Sequence, residues 1–369
     1  MRHVLVTNDF PPKIGGIQHY LGEIYRRLDP TSFVVVTRDE AGAEAFDRAF
    51  GARVVRVRGP LLPTRALAAR VRGLAREIDA DLVVIDPIWP LGEVAASLGL
   101  GWVGVAHGAE LTLPLRLWPT AGRIRSVLAG ALGVVAAGGF VARALDGVVP
   151  ADAIATVPPG VDLERFCVGD RERARKDLMV DPERSLVLFV SRLVPRKGAH
   201  IVIDAVAQLH RPVELHVVGD GRSRSALEQR ARRRGILAVF EGRVALDRLV
   251  ASYQAADVVA FPAHDRWFGL EEEGFGIVAL EAQACGVPVV VGVSGGTAEA
   301  VDPASGRLVA SRRPRAWAEA IEERLAHTSP PVADARGFVE RHHGYDRLAD
   351  EWHAGLERLA SRGRTAGSG

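Results

Sequence analysis

Cysteine is scarce: among 369 residues only Cys167 and Cys285 occur, more than a hundred positions apart. They make neither a metal-ligand spacing nor a disulfide framework, which favours a reducing cytoplasm over export. Excess charge of one sign is lacking too. Lys+Arg 47 against Asp+Glu 45 leaves +2, which gives no sign of a nucleic-acid partner and says nothing of local basic clusters. Long apolar runs are missing as well. The uncharged stretch Ser126–Ala142 falls short of the ~18 apolar residues of a spanning helix, and Gly130, Gly133, Gly138 and Gly139 punctuate it. It predicts a helix end followed by a buried strand, and no integral membrane segment. The opening MRHVLVTND has no basic leader, apolar stretch or cleavage site and reads as a strand entering a turn. No repeat of solenoid period occurs.

What is present is ordinary globular composition, 48% apolar and 25% charged, on a chain too long for one core. Short apolar runs alternate with amphipathic stretches, the pattern of parallel sheets with crossover helices. Strands are predicted at HVLVTN, FVVVTR, RVVRV, DLVVID, WVGVAH and GVVAAG, then at LVLFVSR, ELHVVGD, VVAFPA and PVVVGV. Helices are predicted at Gln18–Leu28, Ala66–Ile78, Ser223–Arg234 and Leu246–Ala255. In Ala66–Ile78, the residues Leu67, Val71, Leu74 and Ile78 recur at helical spacing.

Paired prolines and a glycine in VPPGVDLERF (Val157–Phe166) mark a hinge. The expected fold class is therefore α/β, with two Rossmann-like doubly wound domains facing a central cleft. The boundaries read 1–165 for the first and 166–344 for the second. A final helix at 345–360 is expected to pack back across the hinge, and 361–369 to be a disordered tail.

Unusual residues gather just beyond strand ends, where open α/β sheets bind ligands. Gly15 and Gly16 follow the first strand and open a helix, so a backbone approach to an anion competes with an ordinary glycine turn. Arg192 and Lys197 flank a proline turn. A guanidinium fork and an ammonium suit a diphosphate, the alternative being two solvated loop cations. Glu273 and Glu281 lie eight positions apart in EEGFGIVALE. Gly274 and Gly276 predict that a helix starts near Gly276, with Glu273 before it and Glu281 inside it. The competing reading is two acids comfortable with a helix dipole. Asp79-Ala80-Asp81 has the letters of a metal motif but lies between a helix and a strand, the place of a surface turn.

Glu273 to Glu281 resembles the E-x7-E motif of retaining glycosyltransferases, and EGFGIVALEAQACGVPVV is similar to family 4. The resemblance covers nearly the whole chain. It takes in GGIQ, His107–Glu110, PPGVDLERF, SRLVPRKG, VVGDG and Gly242–Val244. Within the family, LVTNDFPPKIGGIQHYL and FPAHDRWFGLEEEGFGIV look most like the actinobacterial GDP-mannose-dependent phosphatidylinositol-mannoside mannosyltransferases.

The resemblance implies a GT-B enzyme and a role for each site residue. Arg192 and Lys197 hold the donor diphosphate, Glu281 the ribose, and Glu273 with the Phe275 and Gly276 amides the sugar. Gly16 brings its backbone to the phosphate, His107 lies beside the transferring bond, and Gly219 and Val244 border the donor. No metal and no other cofactor is expected. The donor is a nucleotide sugar, with GDP-mannose first, and the acceptor a lipid or a glycan. UDP-sugar transfer to a soluble or polysaccharide acceptor and a non-catalytic sugar-nucleotide scaffold are the alternatives. With the subfamily resemblance, Arg65, Arg70, Arg72 and Arg76 and the loop Glu110–Pro119 carrying Arg116 and Trp118 suggest a cytoplasmic protein touching anionic lipid at the inner membrane face, the alternative being an ordinary sheet-covering helix and an internally packed loop.

Overall fold

Strand β1 (His3–Thr7) shows why this chain folds in layers. Its side chains alternate: Val4 and Val6 enter one core, Leu5 the opposite one, and all five residues are buried. A strand buried on both faces needs helices on both faces, which parallel crossover connections supply. The computed structural model describes residues 1–108, 111, 114–115, 118–267, 271–326 and 332–366.

These divide into two units, Met1–Pro159 with Tyr345–Gly369, and Gly160–Gly344. Among the described residues of the first unit, β1, β2 (Phe33–Arg38), β3 (Arg53–Val57), β4 (Leu82–Asp86), β5 (Trp102–Ala106), β6 (Gly133–Ala136) and β7 (Ile154–Thr156) form one parallel sheet. Its order is β3-β2-β1-β4-β5-β6-β7. Around it lie α1 (Gly16–Arg26), α2 (Ala43–Phe50), α3 (Arg65–Glu77), α4 (Trp118–Ala129) and α5 (Gly139–Ala144). Helix α3 starts where Thr64 Oγ1 accepts the Leu67 amide at 3.2 Å, a side-chain N-cap. It buries Leu67, Val71 and Leu74 and leaves Arg65, Arg70 and Arg76 exposed.

The second unit repeats the plan. Here β8 (Ser185–Val190), β9 (Val213–Val218), β10 (Leu237–Gly242), β11 (Val258–Phe261), β12 (Val289–Gly292) and β13 (Arg307–Val309) form a parallel sheet in the order β10-β9-β8-β11-β12-β13. Its helices are α6 (Arg171–Asp177), α7 (Ala199–Val206), α8 (Arg224–Arg234), α9 (Leu246–Ala255), α10 (Ile277–Ala284), α11 (Pro314–Ala326) and α12 (Val332–His343). In each unit the strand order reverses beside the first strand, between β1 and β4 and between β8 and β11. Those are the switch points at which open α/β sheets bind ligands.

Helix α13 (Tyr345–Ala366) belongs to the first unit: Tyr345, Leu348, Trp352, Leu356 and Leu359 share a core with Tyr20, Tyr25 and Val135. Two boundaries differ from the sequence reading. The chain changes unit at Pro159–Gly160 rather than at 165. The helix runs on through Ala366, so 361–366 are not a disordered tail; 367–369 lie outside the described residues. Among the described residues no helix is long and apolar enough to cross a membrane.

Candidate functional site

The second unit's switch point gathers charge. After β8 the chain passes Arg192 and enters a single 3-10 turn, Pro195–Lys197. Lys197 is buried, with Nζ 2.6 Å from Glu273 Oε2 and 5.0 Å from the centroid of the Phe261 ring. Arg196 Nη1 donates to the same Oε2. Burial alone would push the Glu273 carboxyl up, but the Lys197 and Arg196 charges hold it below its ordinary value. For Lys197 burial prevails over the Glu273 charge, and its ammonium gives up its proton more readily than usual. The Glu273 amide donates to Ser294 Oγ at 2.9 Å, and Ser294 Oγ donates to Asp265 Oδ1 at 2.6 Å. Arg192 is exposed and has no carboxylate partner among the described residues.

Glu281 lies inside α10, whose cap Gly276 has φ +92°, as the glycine spacing predicts. Tyr253 of α9 donates its hydroxyl to Glu281 Oε2 at 2.6 Å. Burial lifts the Glu281 carboxyl above its ordinary value, and the phenol only partly offsets this. Phe275 is buried with its ring edge-on to His343. Gly219 follows β9 at φ +128°, its amide bonded to the Gly242 carbonyl at 2.7 Å; Val244 lies two residues on and packs on the same core as Tyr253.

In the first unit the reversal between β1 and β4 carries a buried polar chain. Thr7 Oγ1 donates to Asp86 Oδ2 at 2.6 Å, and His107 Nε2, just past β5, donates to Asp86 Oδ1 at 2.8 Å. Tyr20 meets the His107 ring edge-on at 5.7 Å. The Asp9 amide donates to Thr7 Oγ1 at 2.8 Å, while Lys13 and Gln18 both donate to Asp9 Oδ1. This network ties His107 to the loop that ends at Gly16, the first residue of α1.

The pieces thus place the cations Arg192 and Lys197 and the acids Glu273 and Glu281 at one switch point, and a polar relay at the other. Residues 14–165 match the model described as Glycosyltransferase Family 4, and residues 170–333 that of Glycosyl transferases group 1. Over 375 aligned residues the chain is 36% identical to the GDP-mannose-dependent alpha-(1-6)-phosphatidylinositol monomannoside mannosyltransferase of Mycobacterium tuberculosis, covering 94% of this chain and 96% of that one. The chain belongs to glycosyltransferase family 4.

As a family 4 glycosyltransferase it has a second relative in Corynebacterium glutamicum, a GDP-mannose-dependent monoacylated alpha-(1-6)-phosphatidylinositol monomannoside mannosyltransferase. That one is 35% identical over 320 residues, 83% of this chain and 84% of its own. Its fold, GT-B, is shared with Anabaena HepE bound to UDP, at a TM-score of 0.83 with 22% identity over 97% of this chain and 100% of that one. Three site residues of this glycosyltransferase escape the sequence reading. Arg196 sits beside Lys197, but nothing in the sequence says that it too reaches Glu273. Asp86 has a usable signal, a carboxylate closing the otherwise apolar strand β4. Tyr253 has none, since a tyrosine on a helix face is most simply read as core. Of the loop Glu110–Pro119, residues 110, 112, 113, 116 and 117 lie outside the described residues, as do 268–270. Asp79 and Asp81 stand in a turn, Asp79 at φ +52° and exposed, and the Arg2 amide donates to Asp81 Oδ2 at 2.8 Å.

Proposed function

We propose that this glycosyltransferase moves mannose, with retention, from GDP-mannose to a phosphatidylinositol-mannoside-type lipid, and does so without a metal ion. The observation that carries the reading is the grouping of Arg192, Lys197, Glu273 and Glu281 at one switch point. The roles implied for Gly16, His107, Gly219, Val244, Phe275 and Gly276 are carried over with it. The donor's sugar–phosphate bond breaks as the acceptor oxygen bonds the same carbon from the same face, and the acceptor proton leaves with the phosphate oxygen. Charge grows on the departing diphosphate, so cations fixed beside it lower the barrier more than a protein nucleophile would. Similarity to the mannosyltransferases over nearly the full chain supports mannose and the lipid acceptor.

A second reading has its own support. A D-inositol 3-phosphate glycosyltransferase of Geodermatophilus obscurus is 39% identical over 228 residues, 57% of this chain and 49% of that one. On that reading the donor is another nucleotide sugar and the acceptor soluble. A screen of GDP- and UDP-sugars against phosphatidylinositol mannoside and inositol phosphate separates the two. Transfer from GDP-mannose to the lipid supports the first; transfer only to the soluble acceptor replaces it. No transfer and no hydrolysis of any donor returns the scaffold alternative.

A further inference from the structure

Glu273 is held by two cations through one oxygen. Lys197 Nζ and Arg196 Nη1 both bond Oε2, while Oε1 has no protein partner among the described residues. The two cations are not equivalent. Among the described residues Lys197 has no other acidic partner, whereas Arg196 Nε also faces Glu271 Oε1 at 3.4 Å, and Glu271 in turn pairs with Arg266 at 3.5 Å. The backbone reinforces the arrangement: the Arg196 carbonyl accepts the His264 amide at 3.1 Å, and Arg266 and Glu271 bridge each other's backbones. Arg196 is therefore anchored to the segment that leads into Glu273, and Lys197 is a point charge on a flexible stem.

A diphosphate bound at Arg192 and Lys197 competes with Glu273 for the lysine. Once Lys197 turns to it, a carboxylate held by nothing else would lose its orientation. We propose that Arg196 is the positioning residue of the transfer: it keeps Glu273 anchored through Oε2 while Lys197 serves the diphosphate, leaving Oε1 fixed for the donor sugar's hydroxyls. This rests on the reading of Glu273 and Lys197 given above. A guanidinium suits the task because its planar fork can grip Glu273 and Glu271 together, which one ammonium does less well.

The test is steady-state kinetics of Arg196→Gln, Arg196→Lys, Glu271→Gln and Glu273→Gln with the donor that supports transfer, beside calorimetric binding of the free nucleoside diphosphate. Arg196→Gln should lower kcat ~10–100-fold, the size of effect that a misplaced reacting group produces, while the nucleoside diphosphate Kd stays within about threefold. Arg196→Lys should recover only part of the loss, since one ammonium keeps the charge but not the double grip. Undiminished kcat in Arg196→Gln, or a loss matched by equal weakening of nucleoside diphosphate binding, overturns the proposal. Should Arg196→Gln fail to fold, Glu271→Gln carries the test. Loosening the second anchor should cut kcat several-fold with unchanged nucleoside diphosphate binding, and wild-type kcat there overturns it. Full activity in Glu273→Gln would instead remove the underlying site reading, whereas an inactive Glu273→Gln beside a fully active Arg196→Gln sinks only the role of Arg196.

Discussion

Glu281 sets affinity against stability at the scale of one side chain. Its folded-state carboxyl holds a proton more tightly than the unfolded chain does, because burial disfavours the charged form. Its contribution to stability is therefore most favourable below the ordinary carboxylate range and worsens as pH rises through the lifted value. Glu281→Gln keeps an acceptor for Tyr253 and removes the charge. It should raise the melting temperature at pH 7, leave it unchanged near pH 4, and weaken donor binding by ~1.5–3 kcal/mol, the loss of a charge-assisted hydrogen bond. A melting temperature that drops at pH 7 would refute the burial argument. Lys197→Ala and Arg192→Ala make the complementary case: each should cut turnover ~10²–10³-fold, much more than it weakens nucleotide binding. Equal turnover in both variants and wild type would remove the diphosphate assignment. The residue types of the site were legible because acids and cations beyond strand ends are conspicuous. Their pairings were not: Arg196 with Glu273 and His107 with Asp86 join positions 77 and 21 apart in sequence, which only the fold brings together.

At the scale of elements, turns decide whether these side chains meet. A Cβ on Gly219 would lie 2.0 Å from the Ser191 carbonyl oxygen, at a φ that side chains rarely adopt. The collision is with backbone next to Arg192, so it cannot be relieved by a rotamer. Gly219→Ala should cost at least ~2 kcal/mol and displace the turn that carries Arg192 and Lys197. Gly276→Ala meets nothing nearer than 3.4 Å and bears only the strain of its φ, about 1–3 kcal/mol. Thermal denaturation should rank the two in that order, and the reverse order would show that the 191–197 turn yields easily. The same scale explains what the sequence hid. The central strands are continuous apolar runs. β7 and β13 have three residues each, and β10 is a half-exposed edge strand, so each lacks the apolar length that marks a buried strand. Helices α2 and α6 are eight and seven residues long, too short for a secure periodic signal.

For the molecule as a whole, chelation and lipid are the informative perturbations. If side-chain cations neutralise the leaving group, transfer should persist in excess EDTA; loss restored by Mg²⁺ or Mn²⁺ would return a metal to the mechanism. Arg65, Arg70 and Arg76 are exposed on α3, with Leu62 exposed ahead of them, and basic groups of this kind attract anionic headgroups. Liposome flotation should therefore require phosphatidylinositol and fade at high salt, and no flotation under either condition would leave the acceptor to reach the enzyme from solution. Helix α13 has a consequence during synthesis. Tyr20, Tyr25 and Val135 are covered by a segment that the ribosome makes only after the entire second unit. At about 5–20 residues per second the first unit waits roughly 10–40 s with that face bare. The half of the protein that emerges first is thus the last to be finished, its apolar face open until the C-terminal helix arrives.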